Sequence, residues 1–319
     1  MNERKGGVSI IIVNHNGKDL LAECLASCMR QTYRDLETIV VDNGSSDGSQ
    51  DFVRTNYPAV TLIENAGNTG FAPAANQGIE ASGSEFVALL NNDTRVEPEW
   101  IARLVEAIRS DETVGSCASK QMDFFRPGII DAAGLVFFRG GYAGSRGHAK
   151  KDEGQFDAQA PVFGAHGASA FYRRSMLDQV GLFDADYFAY NEEFDLSLRA
   201  QLFGWKCLYV PGAVVYHKQG ATRARQDRRF LVYHMERNRI FTIIKDYPWG
   251  LILATLSFLL KYELDILWRL VAGGETALFR ARLDVMRSLP HLLRKRRLIQ
   301  KNRVLSVRGC MQLLSRPQD

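Results

Sequence analysis

The stretch FDADYFAYNEEFDLSLRAQLFGW ends an aromatic run with Glu192, Glu193 and Asp195, followed by Leu196, Leu198, Leu202 and Phe203 and a stop at Gly204. This spacing predicts an amphipathic helix with carboxylates in its first turn. The helix dipole keeps acids ionised there, and an ionised carboxylate held in one place can act as a general base. Acidic first turns are also ordinary helix signals, so this run alone decides nothing. Three further polar clusters have the same ambiguity: Asn14-His15-Asn16-Gly17, Asp42-Asn43-Gly44-Ser45-Ser46-Asp47-Gly48 and Asn91-Asn92-Asp93. Each has the residue types of a turn. Each also follows an apolar run that reads as a strand, and strand ends of one parallel sheet open on a shared crevice.

The elements that position these clusters are legible in the first 120 residues. Val8–Val13, Leu36–Val41, Val60–Ile63 and Phe86–Leu90 read as buried strands. Between them, Lys18–Arg30 carries a helical apolar stripe, Ser46 is placed to cap a helix to Asn56, and Phe71–Ala81 continues the alternation. Pro98 opens a helix to Ser110. Strands alternating with helices predict an α/β class, a Rossmann-like, mostly parallel sheet with flanking helices. From Ala118 to Gly164 the pattern loosens into glycine-rich turns; Val162–Tyr172 and Lys206–Val210 read as later strands.

The chain divides, on this reading, into a catalytic domain at 1–248 and a C-terminal helical appendage at 249–319. Lys261, Glu263 and Asp265 interrupt the apolar runs after Trp249, so neither run has the roughly 20 clean residues of a spanning helix. Amphipathic helices on a membrane surface fit, with Trp249, Trp268 and the basic tail Arg294–Arg308 at the interface. Packing on the domain or on a second subunit, as in a homo-oligomer, is the competing reading. A net charge of +4 in 319 residues argues against a nucleic-acid binder. Five scattered cysteines without a CxxC pair argue against zinc and for a reduced, cytoplasmic setting. MNERKGG carries no signal-peptide core.

The order VSIIIVNHNG, IVVDNGSSDGS, ENAGNTGFAPAANQGI, FVALLNNDT, FGAHGASAFYRRSMLDQVGLFD, YNEEFDLSLRAQLFGW and VPGAVVYH resembles inverting family 2 glycosyltransferases of the GT-A fold. It is most similar to their rhamnosyltransferase-like branch of bacterial cell-surface polysaccharide synthesis. The likeness covers residues 8–245. It implies a UDP- or dTDP-sugar donor and a lipid-linked or glycan acceptor, met at the inner face of the cytoplasmic membrane. Asn14 and Asn16 would line the base pocket, and Asp42 would accept the pyrimidine N3–H. Asn68, Gly70 and Asn76 would follow the nucleoside. Asn91-Asn92-Asp93 stands where the family carries its DXD metal motif, with Asn91 in place of the first acid. Asp93 and His217 would hold Mg²⁺ or Mn²⁺. Glu193 aligns with the catalytic base, usually an aspartate, and Glu192 is the fallback. His166 and Asp195 would face the acceptor, and Arg223, Arg225, Arg228 and Arg229 would fold over the diphosphate. The departures at Asn91 and Glu193 leave a non-catalytic sugar-nucleotide binder as an alternative, and a nucleotidyltransferase as another. A dinucleotide fold lacks its GxGxxG after the first strand.

Overall fold

The computed structural model describes residues 4–219, 227–273 and 275–315. Its first half alternates β1 (Arg4–Asn14), α1 (Lys18–Cys28), β2 (Leu36–Asp42), α2 (Ser49–Asn56), β3 (Thr61–Glu64), α3 (Phe71–Ala81) and β4 (Ser84–Asn91). Strand β1 lies between β2 and β4, all parallel, and β3 extends the sheet beyond β2. The strands are continuous β-branched and leucine runs because helices cover both faces. Ile10, Ile12 and Val40 face one core, while Ile11, Ile39 and Val41 face the other. Register does the first piece of functional work. Asn14 pairs with Asp42 and Val13 with Asn91, so three polar strand ends come to one sheet edge.

The second half widens this sheet. After β5 (Thr94–Val96) and α4 (Trp100–Arg109) come β6 (Val114–Asp123), β7 (Ile130–Ala132), β8 (Leu135–Phe138), β9 (Tyr142–Ser145), β10 (Ala160–Val162) and β11 (Ser169–Arg173). α5 (Arg174–Val180), α6 (Glu192–Leu202) and β12 (Lys206–His217) complete it. The order is β10-β12-β6-β11-β4-β1-β2-β3, with β11 antiparallel to both its neighbours. β6 is buried along its whole length, although this region reads as irregular in sequence, because its polar residues are bonded internally: Ser119 accepts from Trp100 Nε1 and Gln121 donates to Ser169.

Three expected boundaries are corrected. Val162–Tyr172 is not one strand but β10 and β11 around a loop, which passes so close under α6 that a Cβ on Gly164 would lie 2.2 Å from Ser197 Oγ. Lys206–Val210 does not stop at Pro211-Gly212. The ladder shifts register between Val210 and Val214, and β12 continues to His217. Ser46 does not cap α2; Gly48 occupies that position with φ 81°, and Asp47 accepts from the Ser49 N–H.

The chain then forms α7 (Arg228–Asp246), α8 (Trp249–Gly273), α9 (Thr276–Asn302) and α10 (Val307–Gln312), ending in β13 (Leu314–Ser315) beside β8. The charges at 261–265 do not break α8. Glu263 pairs with Arg239 of α7 and with Arg282 of α9, so the helix runs on through them. α9 lies along α7 over a core of Tyr187, Phe241, Val285 and Leu292. No helix among the described residues is long and apolar enough to cross a membrane.

Candidate active site

A cleft of about 740 Å³ opens at the carboxyl ends of the parallel strands. Of the residues singled out by sequence, it brings together Asn68, Gly70, Asn91, Asn92, Asp93, His166, Glu192, Glu193 and His217. Asn14, Asn16, Asp42, Asn76 and Asp195 are not in its lining, and each has a structural reason.

Asp42 is fully buried and its carboxylate is saturated by Asn14 Nδ2, the Ser45 N–H and Oγ, and Gln50 Nε2 at 2.7–3.0 Å. It shapes the β2–α2 turn and has no oxygen to offer a base. Asn14 is equally buried, donating to Asp42 and accepting from Asn92 Nδ2 at 2.7 Å. It ties two strand ends together. Asn16 Oδ1 accepts from the Ser46 N–H. Asn76 is clamped to the Phe183 backbone through both ends of its amide, at 2.8 and 3.0 Å. Asp195 is fully buried against Arg199 and Lys245 instead of facing an acceptor; its i,i+4 pair with Arg199 is 2.7 Å long.

One wall of the cleft comes from Asn43, the neighbour of the residue that sequence favoured. Its Nδ2 donates to Asn68 Oδ1 and Gly70 O, and its Oδ1 accepts from Thr69 and Asn65. One side chain thereby fixes the whole 65–70 loop. Gly70 has φ 95°, and a Cβ there would meet the Phe188 ring at 2.6 Å. That position accepts glycine alone.

The metal-side wall forms where β5 pairs antiparallel with the end of β12, which sets His217 beside Asp93. His217 Nε2 lies 3.3 Å from Asp93 Oδ1 without hydrogen-bond alignment, so that buried oxygen has no hydrogen-bond donor. His217 Nδ1 donates to Asp131 Oδ2 at 2.7 Å. Burial disfavours the imidazolium, but Asp131 and Asp93 outweigh it and push His217 up to about 9. His166 goes the other way: burial, with His217 adding to it against the pull of Asp131, takes it down to about 4. Asp131, on β7, was missed by sequence reading. Its only signal is an acid between apolar Ile129-Ile130 and Ala132-Ala133.

Among the described residues no group of three or more His, Cys, Asp or Glu encloses a metal by itself. Asp93 and His217 nonetheless fit a divalent cation. An undonated carboxylate oxygen faces an imidazole whose other nitrogen is oriented by a second carboxylate. A hard cation that keeps several water or phosphate oxygens needs only such a partial set.

Opposite stand the two glutamates in the first turn of α6. Each has a buried Oε2 with no hydrogen-bond partner. Burial raises both carboxyls, and the charge of Glu193 raises Glu192 further. Gly167 lies beside Glu193; a Cβ there would stand 3.7 Å from the carboxyl carbon, an ordinary van der Waals contact. Arg228 turns to Glu275, away from this cleft; Arg223 and Arg225 lie outside the described residues.

The fold is of the GT-A class. GalNAc-T7, solved with UDP, GalNAc and Mn²⁺, superposes with a TM-score of 0.58 at 18% identity over 74% of this chain and 47% of its own. The mannosyltransferase PcManGT of Pyrobaculum calidifontis, solved with GDP-Man and Mn²⁺, gives 0.54 at 18% identity over 98% and 88%. Residues 9–181 match Glycosyl transferase family 2. The chain belongs to that family and is a glycosyltransferase. The N-acetylglucosaminyl-diphospho-decaprenol L-rhamnosyltransferase of Mycobacterium tuberculosis is similar, at 28% identity over 75% of this chain and 85% of its own length.

Proposed function

We propose that this glycosyltransferase moves a sugar, rhamnose-like, from a uridine or thymidine diphosphate donor to a lipid-linked or glycan acceptor with inversion. The observation that carries the reading is the pair of unsatisfied acids opening on one cleft: Asp93 Oδ1 on one wall and Glu193 Oε2 on the other. The mycobacterial relative's name supports both the sugar and the lipid-diphosphate acceptor. The nucleoside lies against Asn43, Asn68 and Gly70. Glu193 accepts the proton of the acceptor hydroxyl; the acceptor oxygen bonds to the anomeric carbon as the bond to the diphosphate oxygen breaks. Asp93 and His217 would hold Mg²⁺ or Mn²⁺, which would neutralise charge on the leaving diphosphate. Asp131 holds the ring through Nδ1, so Nε2, once unprotonated, would be the nitrogen to meet the cation. His166, neutral, faces the acceptor side.

The test is thermal stability with UDP- and dTDP-sugars, with and without Mn²⁺. A donor at about 100 times its Kd stabilises by ~2.7 kcal/mol, a rise of several degrees in Tm. Asp93→Asn is expected to abolish the Mn²⁺-dependent part. No stabilisation by any such donor would defeat the reading.

A membrane surface supplies the acceptor. On the side of α8 away from its packed face, Leu253, Leu260, Leu264, Leu267 and Val271 are each more than half exposed, with Trp249 and Trp268 at 66% and 70%. Spaced three, four or seven apart, the aliphatic residues form one stripe, and a shallowly buried amphipathic helix has this form. Leu260→Glu with Leu267→Glu is expected to release the protein from anionic liposomes in cosedimentation. Retention of both would point to another occupant, a second subunit among them.

A further inference from the structure

The segment between Asp184 and α6 is the most strained part of the described backbone. Phe188, Tyr190 and Asn191 have φ of 61°, 70° and 65°, three of the five non-glycine residues with positive φ among the described residues. Two are aromatic, for which this conformation is unfavourable. Asn191 makes no capping bond to α6, since its Nδ2 turns to Met235 O. The direction of Glu192 and Glu193 is therefore set by the segment that precedes them.

One amide reaches three carbonyls of that segment. Asn238 of α7 is fully buried, and its Nδ2 lies 2.9, 2.9 and 2.7 Å from the carbonyl oxygens of Tyr187, Ala189 and Tyr190. Its Oδ1 accepts from Arg237 Nε and Nη2 at 3.0 and 2.9 Å. Arg237 Nη2 also donates to Asp186 O and Tyr187 O. Only a side chain that donates at one end and accepts at the other satisfies both sets. Phe188 O meanwhile accepts from the Ala72 N–H of α3, so the segment joins the nucleoside wall to the acid pair.

We propose that Asn238, steadied by Arg237, is a positioning residue that holds 186–191 in its strained form and thereby aims Glu193. The inference rests on Glu193 being the base. Asn238→Asp keeps the shape and removes both N–H donors. Amide hydrogen exchange across 186–195 is expected to rise about tenfold, with β1 and β4 unchanged. Turnover is expected to fall by about 10²-fold, while the Kd for UDP with Mn²⁺ stays within about threefold. Unchanged exchange in this segment overturns the proposal, and so does retained turnover or an equal loss of UDP affinity. Should that variant not fold, Arg237→Ala, at a half-buried surface position, is expected to raise exchange in the same segment; no rise there is equally fatal. Exchange does not depend on the transferase reading. Faster exchange with no turnover in the unaltered protein would defeat that reading and leave the clamp standing.

Discussion

Glu193→Gln is expected to lower kcat by about 10²–10⁴-fold, the usual worth of a positioned general base. The amide keeps the size of the side chain and cannot accept the acceptor's proton. Donor affinity should be unchanged, because the hydrogen bonds that fix Asn43, Asn68 and Gly70 do not involve Glu193. In the unaltered enzyme the base works ionised, and burial raises its carboxyl. The acid limb of the kcat–pH profile is therefore expected at higher pH than for an ordinary glutamate, with activity lost as pH falls through it. Turnover that survives the substitution would move the base to Glu192, whose Oε2 is also unpartnered. Binding without turnover in both proteins would favour a non-catalytic sugar-nucleotide binder.

Asp195→Asn is expected to destabilise the fold by about 3–5 kcal/mol, read as a lower denaturant midpoint. Asp195 sits at the junction of α6 and α7, where Arg199 donates to it from Nε and Nη2, Lys245 lies 2.6 Å away and Tyr187 donates its hydroxyl. Removing the carboxylate leaves buried cations short of a counter-charge. Burial alone would raise its pKa, but Arg199 and Lys245 hold it far below the usual carboxylate range. Its contribution is therefore full above the ordinary value near ~3.9 and is lost as pH falls below it. The variant should lack that part of the acid-induced loss. Asp246, raised by burial and then by the charge of Asp195, works in the opposite sense, losing stability as pH rises from the ordinary carboxylate range. The absence of a stability change in Asp195→Asn would show that Asp184 alone balances Lys245.

Which parts of the site were legible depends on how local their cause is. The parallel strands show in sequence because burial on both faces forces continuous apolar runs such as Val8–Val13 and Phe86–Leu90. The acid pair shows because helix-start chemistry is written in adjacent residues. Asp42 and Asn76 lie outside the cleft lining for the converse reason. Residue type gives their hydrogen-bonding capacity but not which partners consume it; Gln50 and Ser45 consume one, and the Phe183 backbone the other. Asn43 and Asp42 are neighbours, and only the loop at 65–70 folding back shows that the amide, which donates as well as accepts, is the one it uses.

The amino-acid order by itself determined the alternating α/β architecture, the family, and the candidacy of Asp93, Glu193 and His217, since each rests on patterns a few residues long. Tertiary structure alone decided that Asp131 orients His217 from 86 residues away and that Asn238 reaches back to the carbonyls before α6. It also took Asp195 out of the cleft. The physical reason is that burial and partner geometry are properties of packed surfaces, and distant segments acquire them only when the sheet closes and α7 docks.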